Sequence, residues 1–82
     1  MTSFLVEAYT PAAAALSEIE ARARLASDEL QRGGLPVRYV RSILIPGDET
    51  CLHLFQGPSV EAVREASERA GFSAQRIVEA VA

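Results

Sequence analysis

Glycine and proline placement constrains this chain more than any other feature. Its five glycines and four prolines fall at a few breaks: Pro11, Gly33-Gly34 with Pro36, Pro46-Gly47, Gly57-Pro58 and Gly71. The pieces between them are too short to bury a face alone, so they must pack on one another. Ser3 to Tyr9 alternates around β-formers and predicts a strand. Thr10-Pro11 then opens a helix, with Thr10 as cap and Pro11 at the first helical position. Leu16, Ile19, Ala23, Ala26 and Leu30 recur at spacings of three and four and give that helix one apolar stripe. Gly33-Gly34 stops it. Val37 to Ile45 predicts a second strand, Pro46 to Glu49 a turn and Thr50 to Gln56 a third strand, so these two form a hairpin. Ser59 caps a second helix whose narrow stripe is Val60, Val63, Ala66 or Ser67, and Ala70. Gly71-Phe72 predicts a left-handed cap followed by an apolar residue that packs back. Arg76 to Val81 completes the set as a fourth strand.

The order is β-α-β-β-α-β with short connections, which predicts an α+β, ferredoxin-like sandwich spanning residues 1–82 as one domain. Right-handed crossovers put both helices on one face of an antiparallel sheet. Strand parity assigns Phe4, Val6, Ala8, Val40, Leu44, Leu52, Leu54, Val78 and Ala80 to the face under the helices. The other face then carries Leu5, Glu7, Tyr9, Val37, Tyr39, Arg41, Ile43, Cys51, His53, Phe55, Ile77, Glu79 and Val81. It is too apolar for water, so the expectation is a homodimer packed sheet on sheet, a dimeric α+β barrel.

Charge and cysteine content exclude several functions. The chain has 82 residues, a net charge of −3 and one cysteine. An acidic chain lacks the basic face that nucleic acid or an anionic membrane requires. No apolar run is long enough to span a bilayer, and the start has no basic region ahead of an apolar one. The lone thiol fits a reducing compartment, so the expected location is cytoplasmic.

Glu7, Arg41, His53, Glu79 and the hydroxyls of Tyr9 and Tyr39 form a polar island in the apolar outer face. Buried charges must be paired, hydrogen-bonded or metal-bound, so such an island is the default place for a site. The alternative is internal satisfaction, with Glu7 and Glu79 paired to Arg41 and His53 bonded to a tyrosine. Cys51 and His53, at i and i+2, share a face about 6.5–7 Å apart along the strand. No Ser-His-Asp or Cys-His catalytic order is present. Gly33-Gly34 is a helix stop and not a phosphate loop, and Asp48-Glu49 sits in a turn.

Phe-Leu-Val-Glu (4–7) ahead of an alanine-rich helix, the hairpin Tyr39 to Phe55, and above all the block Glu61 to Ile77 (EAVREASERAGFSAQRI) resemble a small family of bacterial ferredoxin-like domains of formerly unknown function. Its described actinobacterial member is a nickel-binding dimer. The resemblance covers nearly the whole chain and implies a dimeric α+β barrel that binds nickel, Ni2+, for sequestration or homeostasis. The ligands have to come from the inner inventory. His53 is the best choice, because imidazole suits nickel; Glu7, Glu79 and Cys51 are the other candidates. The competing expectation is a small cofactor-free or haem-handling enzyme, a monooxygenase or isomerase, with His53 as general base or haem ligand and Arg41 steadying an anion. A third is a structural dimer whose metal binding is adventitious.

Overall fold

The computed structural model describes residues 1–81, with elements in the order β1 (Thr2–Tyr9), α1 (Leu16–Arg32), β2 (Arg38–Ile45), a 3-10 turn (Pro46–Asp48), β3 (Thr50–Gly57), α2 (Val60–Arg69) and β4 (Ser73–Ala80). All strand pairs are antiparallel, and the sheet order is β2-β3-β1-β4. This is the ferredoxin-like arrangement, and both helices cover one face. No helix among the described residues is long and apolar enough to cross a membrane.

The helix ends follow local chemistry. Ser59 Oγ accepts the Ala62 N–H at 3.2 Å and caps α2. Both helices close with paired bonds over a left-handed glycine: Gly34 (φ 93) has Leu35 N–H on Leu30 O, and Gly71 (φ 80) has Phe72 N–H on Ser67 O. Leu35 and Phe72 then fold back against the core. The start of α1 differs from expectation. Its first residue is Leu16, not Pro11, and Ala15 caps it without a side-chain bond. Thr10 is unavailable as a cap because it is buried, with its N–H on Glu49 O. Residues 11–14 form a turn instead, closed by Ala14 N–H to Pro11 O. Strand β4 begins at Ser73, three residues ahead of the expected Arg76.

The register corrects the face assignment. Under the helices lie three rows across β2, β3, β1 and β4: Tyr39-Phe55-Phe4-Glu79, Ser42-His53-Val6-Ile77 and Leu44-Cys51-Ala8-Ala74. On the open face the central rows are Arg41-Leu54-Leu5-Val78 and Ile43-Leu52-Glu7-Arg76. Thus Val37, Tyr39, Cys51, His53 and Phe55, expected on the outer face, are buried core residues. Leu52, Leu54, Val78 and Ala80, expected inside, belong to the open face. Two register shifts produce part of this exchange, one at Val40 in β2 and one between β1 and β4 beside Glu7 and Ala8. Each inserts a residue and inverts parity beyond it. The core itself unites Phe4, Val6, Val37, Tyr39, Phe55 and Val63 with Ala23, Leu30 and Ala66.

Candidate functional site

Beneath the helices the apolar core contains one polar chain, built where β2 and β3 pair. The bulge at Val40 turns Ser42 inward opposite His53. Tyr39 Oη and Ser42 Oγ are 2.6 Å apart, and Ser42 Oγ is 2.6 Å from His53 Nδ1. Cys51 Sγ lies 3.9 Å from the same nitrogen. His53 is 0% exposed, and its ring stacks on Phe72 at 3.9 Å and 3°. Tyr39 meets Phe55 edge to face, with centroids 5.4 Å apart.

His53 Nε2 finds no partner among the described residues. We assign the ring proton to Nδ1, donating to Ser42 Oγ, with the Ser42 hydroxyl donating on to Tyr39. The reverse assignment would bury an N–H with no acceptor, which costs more than burying a bare lone pair. Burial drives the His53 pKa down to about 4 from an ordinary 6.5, and the Arg22 guanidinium pushes the same way. The imidazole is therefore neutral. Burial also raises the Cys51 thiol and the Tyr39 phenol above their ordinary ranges, and the neighbouring Ser42 hydroxyl offsets part of the rise in each. Cys51 is thus a thiol, not a thiolate, at neutral pH.

The four expected nickel ligands do not converge within one chain. His53 and Cys51 are neighbours, but both are sealed under the helices. Glu79 shares their side of the sheet yet lies two strands from β3, exposed on the edge strand β4. Glu7 is exposed on the opposite face, between Leu52 and Arg76. No group of three His, Cys, Asp or Glu side chains able to hold a metal occurs among the described residues. One protomer therefore does not fit a closed nickel site.

The pairing of Glu7 and Glu79 with Arg41 is also overturned. Arg41 is on β2 and Glu79 on β4, at opposite edges of the sheet. The one ion pair among the described residues joins Arg69 of α2 to Glu29 of α1 at 3.5 Å. The expected bond of His53 to a tyrosine is not made: its Nδ1 bonds Ser42 Oγ, and Ser42 in turn bonds Tyr39. Sequence reasoning missed Ser42 because nothing in residues 38–45 marks the bulge that turns it inward.

A family model for nickel responsive proteins, described as SCO4226-like, matches residues 4–80. Among solved structures, the crystal structure of SCO4226 from Streptomyces coelicolor A3(2) is similar, with a TM-score of 0.73 at 26% identity, covering 98% of this chain and 96% of that one. No curated protein matches the sequence. The family match spans all four strands and both helices, so this chain belongs to the SCO4226-like family of nickel responsive proteins.

Proposed function

We propose that this protein binds nickel as a homodimer and serves nickel sequestration or homeostasis. Membership of a nickel responsive family over residues 4–80 is the observation that carries the reading. Because no three donors gather among the described residues of one chain, the ion is held by groups from two copies. Two copies packed through their open sheet faces, closing a dimeric α+β barrel, double the donor inventory at one interface. Nickel accepts carboxylate oxygen and imidazole nitrogen alike. Glu7 is the candidate exposed on the open face, so an arriving ion meets it there, whereas Glu79 is exposed on the helix side of the edge strand. His53 and Cys51 lie on the other side of the sheet, under the helices, and do not reach that interface. The neutral His53 ring, with its Nδ1 proton on Ser42 and a free Nε2 lone pair, has the tautomer that metal-binding histidines use. The enzyme alternative asks His53 to touch a substrate or haem, and that ring is fully covered.

Calorimetric titration of tag-free protein with nickel chloride, paired with sedimentation at the same concentrations, tests the reading. Nickel should bind to a dimer, and Glu7→Gln should weaken it about tenfold, the loss of one charged ligand. Glu79→Gln and His53→Gln, on the other side of the sheet, should each change affinity less than Glu7→Gln. A monomer that binds nickel with full affinity, or no binding at all, would overturn the proposal.

A further inference from the structure

Away from the buried histidine, a second feature stands at the end of the sheet where β1 stops and β4 begins. A cleft of about 300 Å³ opens there, lined by Tyr9, Thr10, Pro11, Ala14, Ile19, Arg22, Gly71, Phe72 and Ser73. Pro11, Ala14, Ile19 and Phe72 give it apolar walls. Arg22 is the single charged residue of the lining, and no Asp or Glu is among the nine. No carboxylate pairs with Arg22 among the described residues. Its guanidinium carbon sits 5.5 Å from the Phe72 ring centroid. A Cβ on Gly71 would come to 3.4 Å from Arg22 Nη1, so the bare glycine lets the guanidinium lie against the turn. The Tyr9, Thr10 and Ser73 hydroxyls complete the polar side. The Thr10 hydroxyl is poorly satisfied, since its bond to Ala8 O is 3.5 Å long.

We propose that this cleft binds a small organic monocarboxylate with an apolar body. Nickel plays no part in this site. An arginine held over an aromatic ring presents a planar fork that takes a carboxylate through two parallel bonds. One cation in a lining without acids favours a single negative charge over a cation. The apolar walls give the ligand's body a surface to bury, which a bare inorganic anion cannot use. The volume is at the lower end for ligand pockets and suits a body of about ten heavy atoms.

The test follows backbone amide shifts of the full chain by NMR, with benzoate as probe. Benzyl alcohol supplies the same ring without charge, and acetate the charge without the ring. Benzoate should give saturable shifts confined to Thr10, Ile19 to Arg22 and Gly71 to Ser73. Its affinity should exceed that of both controls about tenfold. Arg22→Gln, on the exposed side of α1, should weaken benzoate about tenfold and leave benzyl alcohol unchanged. Ala14→Trp fills the cleft from its partly buried wall and should abolish the shifts in a protein with an otherwise unaltered spectrum. Equal binding of benzoate and benzyl alcohol, equal binding of acetate and benzoate, or full benzoate affinity in both variants would each overturn the proposal, as would the absence of saturable shifts.

Discussion

His53 is neutral because water cannot reach it, and this makes the fold sensitive to acid. Its pKa is about 4 in the folded protein against 6.5 when solvated, with burial the main cause and the Arg22 charge the lesser one. Between those two values the unfolded chain takes up a proton that the native ring refuses. Stability contributed by the neutral ring is therefore complete above about pH 6.5, falls progressively towards pH 4, and changes no further below it. The span corresponds to about 3 kcal/mol, a large part of what a domain of this size can hold in reserve. Urea midpoints measured from pH 7.5 downward should drop most steeply within that window. His53→Gln lowers stability at neutral pH, because Ser42 loses its ring partner, but it should flatten the slope in the window. An unchanged slope in that variant would assign the acid sensitivity to the carboxylates instead.

The elements are set by their ends, and the two helix stops show it. Each uses a glycine with positive φ, Gly34 at 93° and Gly71 at 80°, to bring a following apolar residue onto the core. Gly47 lies in a turn without a positive φ, and a Cβ there meets nothing within 4 Å. Gly71→Ala should thus cost about 1 kcal/mol or more, read as a fall in thermal midpoint, because alanine is strained at that φ and crowds Arg22. Gly47→Ala should leave the midpoint unchanged or raise it slightly. A similar loss in both variants would remove left-handed capping as the reason. These stops, the Ser59 cap and the hairpin turn were legible in the sequence because each is a local rule written in one or two residues. The start of α1 was not, since tertiary packing drew Thr10 into the β1 end and left the alanines of residues 12–15 to decide. The faces of β3 were not legible either. Cys51-His53-Phe55 and Leu52-Leu54 are both apolar enough to be inside, so parity within that strand does not choose between them. The choice is made by pairing with β1, where Phe4, Val6 and Ala8 face the helices, and by an unmarked bulge in β2. Because β3 was inverted, the candidate site was only half legible. His53 and Cys51 do lie together, but on the opposite side of the sheet from Glu7.

At the scale of the whole molecule, the sheet has one face covered by helices and one open. Correcting the register exchanges residues between the faces but leaves the open one apolar. Leu5, Leu52, Leu54 and Val78 are only partly buried, and Ile43 is 48% exposed. These residues are contiguous across two adjacent rows. The charges among them are Arg41 on the edge strand β2, Glu7 on the central strand β1, and Arg76 beside Glu7 on the edge strand β4. Glu7 and Arg76 are register partners on neighbouring strands, so they can pair with each other when this face is buried against a second copy, which limits the cost of removing their water. The proposed homodimer would use this surface, and two substitutions one residue apart separate the role of interface from that of core. Leu54→Glu places a carboxylate on the open face. It should yield a folded monomer in sedimentation at micromolar concentration, with the far-ultraviolet circular dichroism of the parent. Phe55→Glu places the same charge in the core, where Phe55 is 0% exposed, and should prevent folding altogether. A Leu54→Glu protein that sediments like the parent dimer would rule out the open face as the interface. A parent protein that is monomeric at the same concentration would rule out the dimer itself.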